Sequence, residues 1–94
     1  MDNEVVGERS TSTMSITLKD GVYTVVQVVT QERTFDGETW ESRQLEAKAV
    51  DINRSKAMTT AIYQIAEALD SVGGDLFNYD TLPGEEVVPE DVKE

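Results

Sequence analysis

Carboxylates are the side chains present in number that could do acid–base work. The chain holds nineteen Asp and Glu against eight Lys and Arg, and neither histidine nor cysteine. That excludes a thiolate nucleophile, an imidazole base and the usual nitrogen or sulfur ligands of zinc, copper or iron. A carboxylate pair serving as general acid and base is what remains. Asp75 with Asp80, or Glu85 with Glu86, would be that pair, yet they fall in a loop and a tail with no framework to separate their pKa values. Asp75, Asn78, Asp80 and Glu85 offer oxygens of the kind calcium takes, but their spacing does not match a calcium-binding loop. Gly73-Gly74 lacks the Lys and Ser/Thr of a phosphate loop. Asn53-Arg54-Ser55 fits a glycosylation sequon, although Asn53 is better used as a helix cap. The expectation is a non-enzymatic protein with no catalytic residue, no metal ligand and no cofactor.

The elements that would carry surface contacts can be read from periodicity. Met14, Ile16 and Leu18 alternate with Thr13, Ser15 and Thr17, the pattern of a half-buried strand. Lys19-Asp20-Gly21 reads as a three-residue hairpin, and Val22 to Thr34, rich in Val, Thr and Tyr, as a long second strand. Asp36-Gly37 is the strongest two-residue turn signal and leads into a third strand from about Glu38 to Val50. Those two turns set Val28 opposite Leu45, Val26 opposite Ala47, Ile16 opposite Thr24 and Met14 opposite Val26. Both then place Met14, Ile16, Leu18, Val22, Val26, Val28, Leu45, Ala47 and Ala49 on one face. After Asp51 the period changes. Met58, Ala61, Ile62, Ile65, Leu69 and Val72 form an i, i+3, i+4 stripe, capped by Asn53 and ended at Gly73-Gly74. The predicted fold is α+β: a three-stranded antiparallel meander (β-β-β-α) with one amphipathic helix on one face.

Charge divides the chain unevenly. Residues 1–66 carry ten acids and seven bases, whereas residues 67–94 carry nine acids and one base. The expected organisation is a flexible segment over 1–12, a folded unit over 13–79 and an acidic disordered tail over 80–94. No apolar run reaches the roughly 18 residues of a membrane span, and the first twenty residues lack the pattern of a signal peptide. A cytoplasmic location is expected. An acidic surface of this strength also repels nucleic acid and anionic lipid, so direct binding to either is not expected.

Three surfaces stand out as contact candidates. The acids Glu67, Asp70, Asp75, Asp80, Glu85 and Glu86 run from the helix end into the tail, where Glu67 and Asp70 oppose the helix macrodipole. The second is a hairpin arm. A helix of about 28 Å, at 1.5 Å per residue, is outreached by a second strand of about 43 Å, leaving Arg33, Phe35, Trp40 and Arg43 on the overhang. Arg33 is expected opposite Trp40 in a cation–π contact, either bracing the hairpin or meeting a partner. The third is the sheet face away from the helix, where Tyr23, Val25, Val29 and Val50 are expected beside Gln27, Gln44, Glu46 and Lys48. That face suits a fold-back of residues 76–79 or a homodimer better than a foreign partner.

In size, acidity, absence of cysteine and compact sheet-plus-helix layout, the chain resembles the small anti-defence proteins of phages and mobile elements, the anti-CRISPR proteins among them. No motif carries the resemblance. It implies inhibition of a host complex by binding, in the host cytoplasm. The first functional expectation is therefore an acidic inhibitor of a protein whose basic surface binds nucleic acid, acting as a nucleic-acid mimic. The alternatives are an assembly subunit, such as a virion or tail component, and an adaptor whose tail uses Leu82, Val87 and Val88 as anchors.

Overall fold

The protein is seen in a computed structural model that describes residues 4–78, and in it three strands and a helix follow in chain order. They are β1 (Gly7–Lys19), β2 (Val22–Thr34), β3 (Trp40–Asp51) and α1 (Arg54–Ser71). The sheet is an antiparallel meander in the order β1-β2-β3, so the α+β class and the topology are as the periodicity predicts. Residues 80–94, and with them the predicted tail, lie outside the described residues. Among the described residues no helix is long and apolar enough to cross a membrane.

The first strand is longer than its apolar alternation suggests. Residues 7–12 were expected to be flexible, but they pair with Val29–Thr34, and Val6 extends the ladder by donating its N–H to the Thr34 carbonyl. Ser and Thr on a two-faced edge strand give no hydrophobic period, while their backbones still pair and Thr favours a pleated surface.

Both strand registers differ by one residue from expectation. Lys19 pairs with Val22, so the first turn is the two-residue Asp20-Gly21, with positive φ at both positions (53° and 78°), as a type I′ turn requires. Thr34 pairs with Trp40, so the second is a five-residue loop over 35–39. Val25 therefore lies opposite Ile16 and Ala49, and Val29 opposite Leu45. The two shifts cancel between the outer strands: Met14, Ile16, Leu18, Leu45, Ala47 and Ala49 keep the face predicted for them. Only β2 is rolled over. Tyr23, Val25 and Val29 face the helix, and Val26 and Val28 join Val50 on the open face. The predicted self-association face is thus corrected, because Val25 and Val29 are core residues.

The core is two small clusters under α1. Val25, Ala49, Ala57 and Ala61 form one, with Met14, Tyr23 and Met58 against it; Val29, Ala47 and Ile65 form the other, with Leu45 and Leu69. The alanines let the helix lie close on the sheet. Between the clusters Gln27 is buried on the same face, its side-chain amide donating to Ser12 Oγ. Asn53 caps α1 by accepting from the Lys56 N–H at 3.0 Å. At the other end Gly74 N–H bonds Leu69 carbonyl and Gly73 N–H bonds Asp70 carbonyl, a Schellman closure that needs the positive φ of Gly73.

Candidate functional site

The overhanging end of the sheet is covered, and one side chain explains how. Gln31, on the helix face of β2, donates from Nε2 to the Gly74 carbonyl at 2.9 Å and accepts the Leu76 N–H on Oε1 at 2.8 Å. This two-point amide clasp lays residues 74–77 over the arm, burying Val72 and Leu76. The fold-back expected for residues 76–79 does occur over the described part, but onto the helix face rather than the open one.

The clasp delivers Phe77 to the arm's arginines. Arg33 stands over the Phe77 ring at 4.1 Å and Arg43 over it at 5.0 Å, with Phe35 5.0 Å from Arg33 on another side. Arg33 Nε also pairs with Glu41 at 3.1 Å, its cross-strand neighbour. Arg33 does not meet Trp40, because the one-residue shift in register sends the two to opposite faces. Trp40 instead crosses Thr34 to β1, where Arg9 sits 3.9 Å above its ring and pairs with Glu32 at 2.6 Å. Gly7 makes room for that ring: a Cβ there would lie 3.2 Å from Trp40 and 3.1 Å from Thr34. The four predicted arm residues are thus divided, with Arg33 and Arg43 around Phe77 on the helix face and Trp40 on the open face.

The loop between β2 and β3 is ordered by Asp36. Its carboxylate accepts N–H bonds from Thr39 and Glu38, both at 2.8 Å, and the Thr34 hydroxyl at 3.1 Å. Those donors, the Thr39 amide first, hold the Asp36 pKa down to about 2. Thr34 Oγ1 in turn accepts the Gly37 N–H, which accounts for a threonine buried at the end of the strand.

Of the predicted acidic surface, Glu67, Asp70 and Asp75 are described, and all three are exposed. Asp80, Glu85 and Glu86 lie outside the described residues. Because Gln31 ties the post-helix loop to β2, Asp75 comes to the same end of the molecule as the arm. A cleft of about 510 Å³ lies between them, lined by Glu8, Arg9, Ser10, Arg33, Asp75 and Phe77 among others. It mixes both signs of charge and includes the Ser10 hydroxyl. Among the described residues no group of three or more carboxylates is placed to hold a metal ion.

No protein-family model, curated protein or solved structure matches this chain.

Sequence reasoning missed Arg9, Gln31 and Gly7. A 13-residue polar stretch opposite an equally long second strand was the available signal for Arg9 and Gly7. Gln31 had none, since its role depends on a loop 43 residues away.

Proposed function

We propose that this protein is a non-enzymatic acidic inhibitor or regulator, phage-encoded and active in the host cytoplasm, that occupies the basic surface of a nucleic-acid-binding host protein or defence complex. The observation that carries the reading is the placement of Glu67, Asp70 and Asp75. They are exposed at and just beyond the end of α1, whose last turn has no basic residue. Neither of the described ion pairs, Arg9–Glu32 and Arg33–Glu41, uses them. Acids at a helix C-terminus oppose the macrodipole, so fold stability gives no reason for Glu67 and Asp70, whereas Asp75 also accepts the Phe77 N–H at 2.9 Å. Together with the acids of residues 79–94 they would attract an Arg/Lys-lined groove at long range, with affinity falling steeply as salt rises.

The test is affinity capture from nuclease-treated bacterial lysate at low and high salt, with wild type beside the triple variant Glu67→Gln, Asp70→Asn, Asp75→Asn. A nucleic-acid-binding protein retained by wild type, shed at high salt and lost by the variant is the expected outcome. Removing these charges should leave the fold as stable or raise its stability, by about 0.3–1 kcal/mol per helix-end charge at low ionic strength. Capture that the triple variant retains would end the acidic-surface reading. The assembly alternative is favoured by a different observation, the uncovered edge of the sheet.

A further inference from the structure

Among the described residues the three-stranded meander has two unpaired edges, and they are unlike. β3 carries Glu41, Arg43, Glu46, Lys48 and Asp51 along its 12 residues, the kind of charge that guards an edge against pairing. β1 carries no charge, proline or glycine from Ser10 to Leu18 and pairs with β2 without a bulge from Gly7 to Lys19. Its apolar side chains are also left bare. α1 packs on β2 and β3, so Ile16 is 43% exposed and Leu18 56%, and Ile62, on the helix flank that also holds Met58, is 49% exposed.

The outer backbone of the same residues pairs with no other strand among the described residues. Lys19 and Val22 close a two-residue turn as a mutually hydrogen-bonded pair, and antiparallel ladders alternate from there. Residues 17, 15 and 13 therefore bond to β2, while Ser12, Met14, Ile16 and Leu18 direct N–H and C=O groups outward.

We infer that β1 pairs antiparallel with β1 of a second copy, about a two-fold axis at Ile16, to form one six-stranded sheet. Self-complementarity selects the occupant and the register. With Ile16 opposite Ile16 of the second copy, Met14 meets Leu18 and Leu18 meets Met14, so every exposed apolar side chain of the edge finds an apolar partner. Sliding by two residues sets Leu18 against Ser12 in one direction and Met14 against Asp20 in the other, and sliding by four sets Lys19 against Arg9 or Ile16 against Asp20. Charge agrees with the same arrangement. The acidic end of α1 lies beside Ser10, which pairs with the clasping Gln31, and the overlap is at the other end of β1. The two acidic ends consequently point to opposite extremes of the dimer. A single strand pair is a small interface, so the dimer forms reversibly with concentration. It stands independently of the acidic-inhibitor reading.

Sedimentation equilibrium of the full chain from micromolar to millimolar concentration tests this, with Ile16→Lys, Leu18→Lys and Val50→Lys alongside. A mass rising toward that of a dimer is expected, weakened about tenfold or more by Ile16→Lys, which would set two lysines face to face across the axis. Val50→Lys, on the open face, should leave it unchanged. Should Ile16→Lys fail to fold, Leu18→Lys at the more exposed position carries the same expectation. A monomer at every concentration, a dimer indifferent to both edge variants, or one lost with Val50→Lys would each overturn the inference.

Discussion

Asp36 shows how one carboxylate can organise an exposed loop without acting on anything. Its two N–H bonds and the Thr34 hydroxyl favour the charged form, so the group is held at about 2, below its ordinary 3.8. A depressed folded pKa means a contribution that is complete above the ordinary value and is lost as pH falls from about 4 through 2. An NMR titration of the Asp36 carboxyl carbon should give a midpoint near 2, with the Glu38 and Thr39 amide shifts moving in step. Asp36→Asn should abolish that coupled movement and leave the core resonances in place. The Asp36-Gly37 pair was legible as a turn, but its chemistry was not: the carboxylate serves a five-residue loop, where a two-residue hairpin would have used the same dipeptide for its positive φ alone.

At the scale of the element, β2 is the instructive case. Its sequence places valines at 22, 25, 26, 28 and 29, so either parity supplies an apolar face. Agreement between the two predicted turns tested β1 against β3 and was blind to β2, since a slip of the middle strand alone leaves the outer two in the same relation. The turn geometries decide it, through the type I′ closure at Asp20-Gly21 and the loop ordered by Asp36. Paired truncations distinguish the two faces. Val25→Ala empties a fully buried site against Ala57 and Ala61 and should cost about 1–3 kcal/mol. Val26→Ala, on the half-covered open face, should cost less than about 1 kcal/mol by denaturant unfolding. Equal costs, or the reverse order, would return β2 to its predicted parity. The helix was easier to read, because its caps and its glycines are local signals with local causes. Even so, Ile62 belongs to the apolar stripe and stays half exposed, since α1 sits to one side of the sheet.

For the whole molecule, the sheet is unevenly protected. β2 is paired on both sides and roofed by α1, while β1 is paired on one side and only partly roofed. Amide hydrogen exchange should therefore be slowest across Val25–Val29 and fast at Ser12, Met14, Ile16 and Leu18 in dilute solution. Raising the protein concentration should slow Met14, Ile16 and Leu18 selectively while Ser12, which falls opposite the Asp20 turn of the second copy, stays fast, a signature that burial within a monomer cannot produce. The same one-sided seating of the helix unites the acidic end and the arm. The post-helix loop reaches β2 through Gln31, so surfaces that look separate along the chain share one end of the fold.

Periodicity, caps and turn residues by themselves determined the order of the elements, the α+β class, the helix and its ends, and the inward faces of β1 and β3. Those features arise from interactions a few residues apart, or from an alternation that only one parity can satisfy. The tertiary structure alone decided the roll of β2, the true start of β1, the separation of Arg33 from Trp40 and the docking of Phe77. Each depends on which distant backbone or side chain stands opposite, and a one-residue change of register on either side of β2 reassigns all of those neighbours without altering any local preference.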